Sequence, residues 1–557
     1  MFTIDSLVFL AIAVAILFIA IQRGGDGARQ TDEKTHRAIC AAAAVVGVLV
    51  RLVKLTSLPA GISAEEALVG VQAKALWQTG GFLFGQGLTT QLAQWSGETT
   101  GPLLAALTAP FVGLFGMSKL TVRLPLALLS CLAMPAAYGL GEAVSGKRAA
   151  RWMLVIYAIC PIFVLEARMT CGSCAALYLL PIALCLIARG LTKPALLYPG
   201  MILMALTAYA QDMYFFIAPA AILVCAVIAL IAGRKKLHAA VSGAIGLLLC
   251  VPAMLTAYVN LTGAESMTLL GLIQIPELEG FEKVYMAERL SVTDKLWTVL
   301  VGGFFQVLRH ENIDQAMYTP DGMLALFMFS VPLMILGALT LFARRADGRR
   351  AKGEKAAARA LVAATCAVTL AALVLFGSIG MLDRSGTTGL FDHSALILFD
   401  AVLMTAGLCT IERKNLKCAA AMGVLMTVNF AWLAVQLFGG SYQENANVYF
   451  PGFEQMAARA AEIQAETGEK INVTGNVYPH ISPSDGAEMM FLYASNADMR
   501  TAEADRNTRY EMMYVSDDMQ PEKDEIYLAR TNEISNWDLE GFEYEESEGY
   551  SLIYPAK

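Results

Sequence analysis

Twelve stretches of about 20 mostly apolar residues set the terms for this chain, because each is long enough to cross the hydrocarbon of a bilayer. They lie at roughly 5–22, 38–55, 120–142, 149–167, 174–190, 195–211, 213–233, 237–257, 321–343, 360–380, 393–411 and 418–438. Of the 557 residues, 56% are hydrophobic and 16% charged. The mean hydropathy is +0.54. A soluble fold of this composition would expose too much apolar surface, so the expectation is a polytopic α-helical membrane protein.

Charge orients the helices. The net charge of −7 averages two unlike parts. Residues 440–557 hold 23 acids and 8 bases, whereas residues 1–439 hold 25 acids and 33 bases. The basic connections are 23–37, 143–151, 189–193, 234–236, 344–359 and 412–417. The positive-inside rule puts all of them in the cytoplasm. That arrangement requires the apolar run 102–116, PLLAALTAPFVGLFG, not to cross. It is short, contains Pro102 and Pro110, and ends beside Gly116, so it reads as a helix lying at the outer surface. The segments 56–120, 258–320 and 381–392 and the tail are then extracytoplasmic, with both termini outside. The first run is nearly full span length and has no basic segment before it, so it reads as an anchor rather than a cleaved signal.

The acidic tail reads as a small α/β domain. FEQMAARAAEIQAET has helical spacing, while KINVTGNVY and DEIYLAR read as strands. All eleven Cys precede Gly440, mostly within apolar runs. Cys171 and Cys174 form a CxxC without a second pair or a nearby His, so metal or redox use is not expected. Asn472-Val473-Thr474 fits a glycosylation sequon and reads as a chance match.

Polar side chains with chemistry gather on the outer side. Glu65 and Glu66 open the first outer loop in GISAEEALVG, followed by Trp95 and Glu98 in QWSGETTGP and Arg123 in KLTVRLP. Glu166 and Arg168 end one span, Tyr209 and Asp212 another, and the 258–320 loop adds Arg309. Arginine forks suit phosphate oxygens, and a carboxylate can deprotonate an attacking hydroxyl. Each residue also has a plainer reading. Glu65 and Glu66 would suit the first turn of a helix capped by Ser63, and Arg123 and Arg168 would suit snorkelling helix ends. Glu98, Asp212 and Arg309 would suit solvated positions.

The order of these pieces resembles the GT-C glycosyltransferases. RLVKLTSLPAGISAEEALVGVQAKALWQTG, WSGETTGPLLAALTAPFVGLFGMSKLTVRLPLAL and GKRAARWMLVIYAICPIFVLEARM are similar to bacterial relatives of dolichyl-phosphate-mannose protein mannosyltransferases and of lipid A aminoarabinose transferases. The collinear resemblance covers nearly everything after about Val50. It implies a base at Glu65, where the family has Asp, with Glu66 at the neighbouring Glu. It implies Arg168 on the lipid phosphate and a juxtamembrane helix at 102–116. Family members often carry an acid four or five residues after the arginine, where this chain has Gly172 and Ser173. Asp212 stands where relatives often have a small residue.

The resulting expectation is an integral membrane enzyme using a polyprenyl-phosphate sugar, most simply undecaprenyl-linked. Its acceptor would be an envelope glycan, lipid or protein on the outer face. Residues 1–37 would be an added anchor and cytoplasmic loop, 38–439 the GT-C membrane domain, and 440–557 an extracytoplasmic domain. Glu65 and Glu66 would be catalytic, Arg168 and Arg123 would hold the donor phosphate, and Glu98, Glu166, Tyr209, Asp212 and Arg309 would contact substrate. No ligand-spaced cluster calls for a metal. Two rivals stand beside this reading. A flippase for lipid-linked sugar would show internal repeats and mid-span charges. A catalytically inactive scaffold is favoured by Glu65 and Gly172.

Overall fold

The computed structural model describes residues 4–22, 31–83, 87–93, 99–170, 174–210, 214–277, 324, 326–346, 353–376, 394–439, 450–476, 485–516 and 519–556. Its membrane body is built from α1 (Ile4–Gln22), α2 (Glu33–Leu52), α3 (Ala64–Thr79), α4 (Leu103–Phe115), α5 (Lys119–Ser145), α6 (Lys147–Ile159), α7 (Pro161–Leu165), α8 (Cys174–Gly190), α9 (Leu197–Leu206), α10 (Tyr214–Ala232), α11 (Lys236–Thr262), α12 (Ser330–Ala346), α13 (Glu354–Phe376), α14 (Ser394–Lys414) and α15 (Leu416–Phe438). Among the described residues, seven helices are long and apolar enough to cross a membrane. The other expected spans are also helical but shorter. One of them breaks in two at Pro161, which lacks the N–H needed to continue α6 into α7.

Apolar side chains lie outside as well as inside. Tyr157, Phe163, Tyr178 and Tyr214 are fully buried between helices, whereas Leu132, Ile231, Leu248 and Val435 are each more than 60% exposed. Large exposed apolar residues along spanning helices fit hydrocarbon as the surrounding solvent.

The six basic connections meet at one end of the bundle. Thr31, Arg148 and Arg151 all reach Glu412, and Lys147 pairs with Glu33. Arg189 pairs with Glu142, Arg234 with Glu354, and Arg359 donates to the Val144 carbonyl. The amide of Arg234 donates to the Leu191 carbonyl. The opposite ends of α2 and α5 are joined by Arg123, which donates to the Leu55 carbonyl. The chain therefore leaves α2 and enters α5 at the same end. The helices between them, α3 and α4, form a cap at the end opposite the basic connections. With 13 residues, α4 spans only about 20 Å, too short for a bilayer of about 30 Å.

Two loops at this end share a small sheet. Strands β1 (Leu88–Thr89), β2 (Leu92–Ala93) and β3 (Thr99–Thr100) lie in the first loop, and β4 (Met267–Leu269) and β5 (Ile273–Ile275) follow α11. β1 runs parallel to β5, pairing Leu88 with Ile273, which ties the two loops together.

The tail contains α16 (Pro451–Thr467), β6 (Lys470–Thr474), α17 (Asp485–Ala494), α18 (Ala502–Asp505), β7 (Tyr510–Met513), β8 (Glu525–Arg530), β9 (Phe542–Ser547) and β10 (Tyr550–Pro555). Its sheet has the order β7-β6-β8-β10-β9, with β6 parallel to both neighbours and β8, β10 and β9 antiparallel. The expected tail helix and the strands at KINVT and EIYLAR are present. Asn472 is buried in β6 and donates to Glu525, which suits the chance reading of its sequon.

This domain sits on the cap formed by α3 and α4. Phe453, Met490, Phe491 and Tyr493 share one apolar cluster with Leu68, Val71 and Val112 of α3 and α4. Lys119 pairs with Glu454 at 2.7 Å, and Lys74 bonds the carbonyls of Asn496 and Ala497. Gly61, at φ +72°, lies so close to Pro451 that a β-carbon would stand 2.6 Å from its nitrogen.

Candidate active site

Ser63 caps α3, its Oγ accepting from the Glu66 amide at 3.2 Å. Two acids in the first turn face the positive end of the helix dipole. Consecutive helical residues point about 100° apart, so the two carboxylates part company. Glu65 is exposed, while Glu66 is 1% exposed.

Glu66 is bound on both oxygens. Its Oε1 accepts from Arg123 Nε at 2.9 Å and from the Thr170 amide at 3.2 Å, and its Oε2 from Arg123 NH2 at 2.8 Å. Arg123 directs its remaining N–H groups to the carbonyls of Leu55, Pro59 and Gly61, each at 3.0 Å. That uses all five guanidinium donors. Arg168 does similar work one layer deeper, donating to the carbonyls of Val50, Arg51, Val53, Lys54 and Leu58 at 2.7–3.3 Å. Its guanidinium also lies 5.5 Å from the ring of Phe438, the last residue of α15.

The reason for two buried arginines is the backbone between α2 and α3. That segment makes no regular ladder, yet its carbonyls are buried and need donors. Arg51, which the sequence reading did not single out, repairs the neighbouring helix break. It donates to the carbonyls of Tyr157, Ala158 and Phe163 around Pro161. The signal for it was in the sequence, since an arginine among the apolar residues of a span has to find acceptors.

These contacts bear on two expectations. The assignment of Glu66 to catalysis does not fit a carboxylate committed to Arg123 and Thr170. Direct phosphate binding by Arg123 and Arg168 does not fit side chains that are 1% exposed and turned towards backbone carbonyls. Both arginines shape the loop that carries Glu65.

Glu166 follows α7 and is also buried, with Cys174 Sγ 3.5 Å from its Oε2. Cys174 is disulfide-bonded. Glu65 lies close enough to Glu166 for the two acids to interact electrostatically. The fold therefore brings Glu65 and Glu66 of α3, Arg123 of α5, and Glu166 and Arg168 of the turn after α7 to one place. Tyr209 is held apart, donating its hydroxyl to the Leu249 carbonyl at 2.6 Å. The backbone of Gly101 packs directly on the Tyr209 and Ala210 carbonyls. Trp95, Glu98, Gly172, Ser173, Asp212 and Arg309 lie outside the described residues. Among the described residues, no three His, Cys, Asp or Glu side chains converge as metal ligands.

No family model matches the chain, and no curated protein matches it. Solved structures do match. ArnT from Cupriavidus metallidurans bound to undecaprenyl phosphate aligns over 94% of this chain and 98% of its own, at 10% identity and a TM-score of 0.52. The chain has a GT-C fold. An oligosaccharyltransferase from Archaeoglobus fulgidus, tethered to an acceptor peptide containing the NVT sequon, also aligns. It covers 94% of this chain and 74% of its own, at 12% identity and a TM-score of 0.46. Within the GT-C fold of this chain, the buried Glu66–Arg123 pair and the exposed Glu65 stand at the end of the helical body opposite the basic connections.

Proposed function

We propose that this protein transfers a sugar from a polyprenyl-phosphate donor to an acceptor hydroxyl at the outer membrane surface. The observation that carries the proposal is the division of labour between adjacent acids. Glu66 is locked to Arg123, and Glu65 is thereby presented, exposed, at the outer end of the bundle. The similarity in fold to ArnT, solved with undecaprenyl phosphate, supports a lipid-linked donor.

In this reading Glu65 accepts the proton of the attacking hydroxyl. The hydroxyl oxygen bonds to the anomeric carbon as the bond from that carbon to the phosphate oxygen breaks. The polyprenyl phosphate leaves with the bonding electrons. Arg51 and Arg168 add buried positive charge beneath this surface, favouring an anionic headgroup there through their field rather than by contact. The acceptor belongs to the cell envelope, and the tail domain lies on the extracytoplasmic side with it.

The test is mass spectrometry of envelope glycans from a deletion strain, complemented with wild type or with Glu65→Gln. A glycan modification lost on deletion, restored by wild type and absent with Glu65→Gln is the expected result. Full restoration by Glu65→Gln would overturn the assignment of the base.

A further inference from the structure

A second outer feature lies further along α3, between the membrane body and the tail. It is a cleft of about 310 Å³ lined by Trp77, Gln78, Gly113, Asn496 and Arg500, with Lys74 at its base. Trp77 is 50% exposed. Its indole lies directly on the α4 backbone at Gly113, where any β-carbon would overlap the ring. One face of the ring is thus covered by α4, and the other is available to the cleft.

The polar wall comes from the tail. Lys74 spends its three donors on Asn496 O, Asn496 Oδ1 and Ala497 O, at 2.7–2.9 Å, which fixes Asn496 in a left-handed conformation (φ 51°). Gln78 is fixed through its oxygen, which accepts from the Met499 amide at 2.9 Å. Each side-chain amide therefore keeps its NH2 group, and among the described residues neither NH2 group nor the Trp77 indole N–H has a hydrogen-bond partner. Arg500 is exposed at the rim, 4.0 Å from Asp498.

We infer that this cleft is a glycan subsite, taking one pyranose unit of an extended acceptor. A fixed indole face suits the apolar C–H face of a sugar ring, and the amide donors and the indole N–H suit its hydroxyl oxygens. The Arg500 guanidinium suits an anionic substituent such as a uronate. Twelve helical residues separate Trp77 from Glu65, about 18 Å along α3. The α3 residues Glu66 to Ala73 between them are buried, so an acceptor would pass over the elements that cover α3; a single sugar at Glu65 would not reach the cleft, whereas an oligomer would. The inference rests on the transferase reading, because it assigns the cleft to that reaction's acceptor.

The test uses the full-length protein in nanodiscs, with a neutral hexamer (cellohexaose) and an anionic one (an oligogalacturonate), read by saturation-transfer NMR and titration calorimetry. Wild type should bind at least one hexamer. Trp77→Phe should keep most of that binding, and Trp77→Ala should weaken it about tenfold. Arg500→Ala, a surface change, should weaken the anionic probe several-fold and spare the neutral one. No binding by wild type to either hexamer would overturn the inference, as would unchanged binding in Trp77→Ala. Quenching of Trp77 fluorescence by brominated lipid without any sugar binding would assign the residue to membrane anchoring instead. If Trp77→Ala fails to fold, Gly113→Ala decides, because it displaces the ring without removing it, and unchanged binding there would overturn the subsite. Glu65→Gln separates the two readings, since it should bind both probes like wild type while losing transfer. Normal transfer by Glu65→Gln with intact cleft binding would remove the transferase mechanism and leave the subsite standing.

Discussion

Arg123 and Glu66 form a two-pronged ion pair, 2.9 Å and 2.8 Å long, in which both side chains are 1% exposed. The pair joins the start of α5 to the first turn of α3, 57 residues apart in sequence. Breaking a buried pair by removing one partner costs about 3–5 kcal/mol, because the other charge is left without compensation. Glu66→Gln and Arg123→Lys should each lower thermal stability in detergent. The double variant should lose less than the sum of the two, which a double-mutant cycle measures directly. Fully additive losses would show that the two side chains act independently.

Glu65 should behave in the opposite way. It is exposed, so Glu65→Gln should unfold nearly like wild type. Its transfer rate should fall by roughly 100- to 10,000-fold, the range for loss of a general base. Glu65→Asp distinguishes two histories of the site: a slower enzyme means the pocket fits the longer acid, and a faster one means it still fits the shorter. Rates with a defined polyprenyl-phosphate sugar and acceptor provide the measurement.

Arg168 should matter first for folding. Hydrogen bonds to charged groups are worth about 1.5–3 kcal/mol each, and Arg168 serves five carbonyls around the end of α2. Arg168→Ala should therefore be strongly destabilising, and Arg168→Lys intermediate, because an ammonium cannot span the same acceptors. Thermal unfolding followed alongside undecaprenyl phosphate binding separates the roles. Wild-type stability with lost lipid binding would return Arg168 to direct phosphate contact.

The close approach of Gly61 to Pro451 should couple the tail to the site. Gly61→Ala adds a β-carbon at φ +72° and 2.6 Å from the proline nitrogen, so the tail must shift. Faster proteolysis of the tail and reduced transfer are expected, with the helical body still folded. An unchanged proteolysis pattern would mean that the junction adapts without cost.

The orientation can be read with an impermeant thiol reagent. In a background without reactive native thiols, Lys54→Cys and Ser535→Cys should label in intact cells, while Arg37→Cys should label only after permeabilisation. Labelling of Arg37→Cys in intact cells would reverse the topology.

The resemblance in the sequence anticipated the GT-C fold, and the length and prolines of 102–116 anticipated that it forms a helix too short to span. The local tail elements were also legible, since α16 and the strands β6 and β8 follow ordinary periodicity. The β9–β10 hairpin was less legible, because β9 carries Glu543 and Glu546 on exposed positions and a half-buried Glu545, without a continuous apolar pattern. The break at Pro161 was marked by the proline, but not its repair by Arg51, which acts over more than 100 residues of sequence.

What the sequence determined by itself was the set of apolar lengths, the side on which basic loops collect, and the presence of acids and arginines at the outer end. These are local or additive properties, fixed by residue type and position along the chain. Only the tertiary structure decided which charge is available for chemistry. Glu65 and Glu66 are neighbours with the same functional group, yet one meets Arg123 in a water-excluded corner and the other meets solvent. That difference comes from a helical turn of about 100° and a partner far away in sequence, and neither is written in the local pattern.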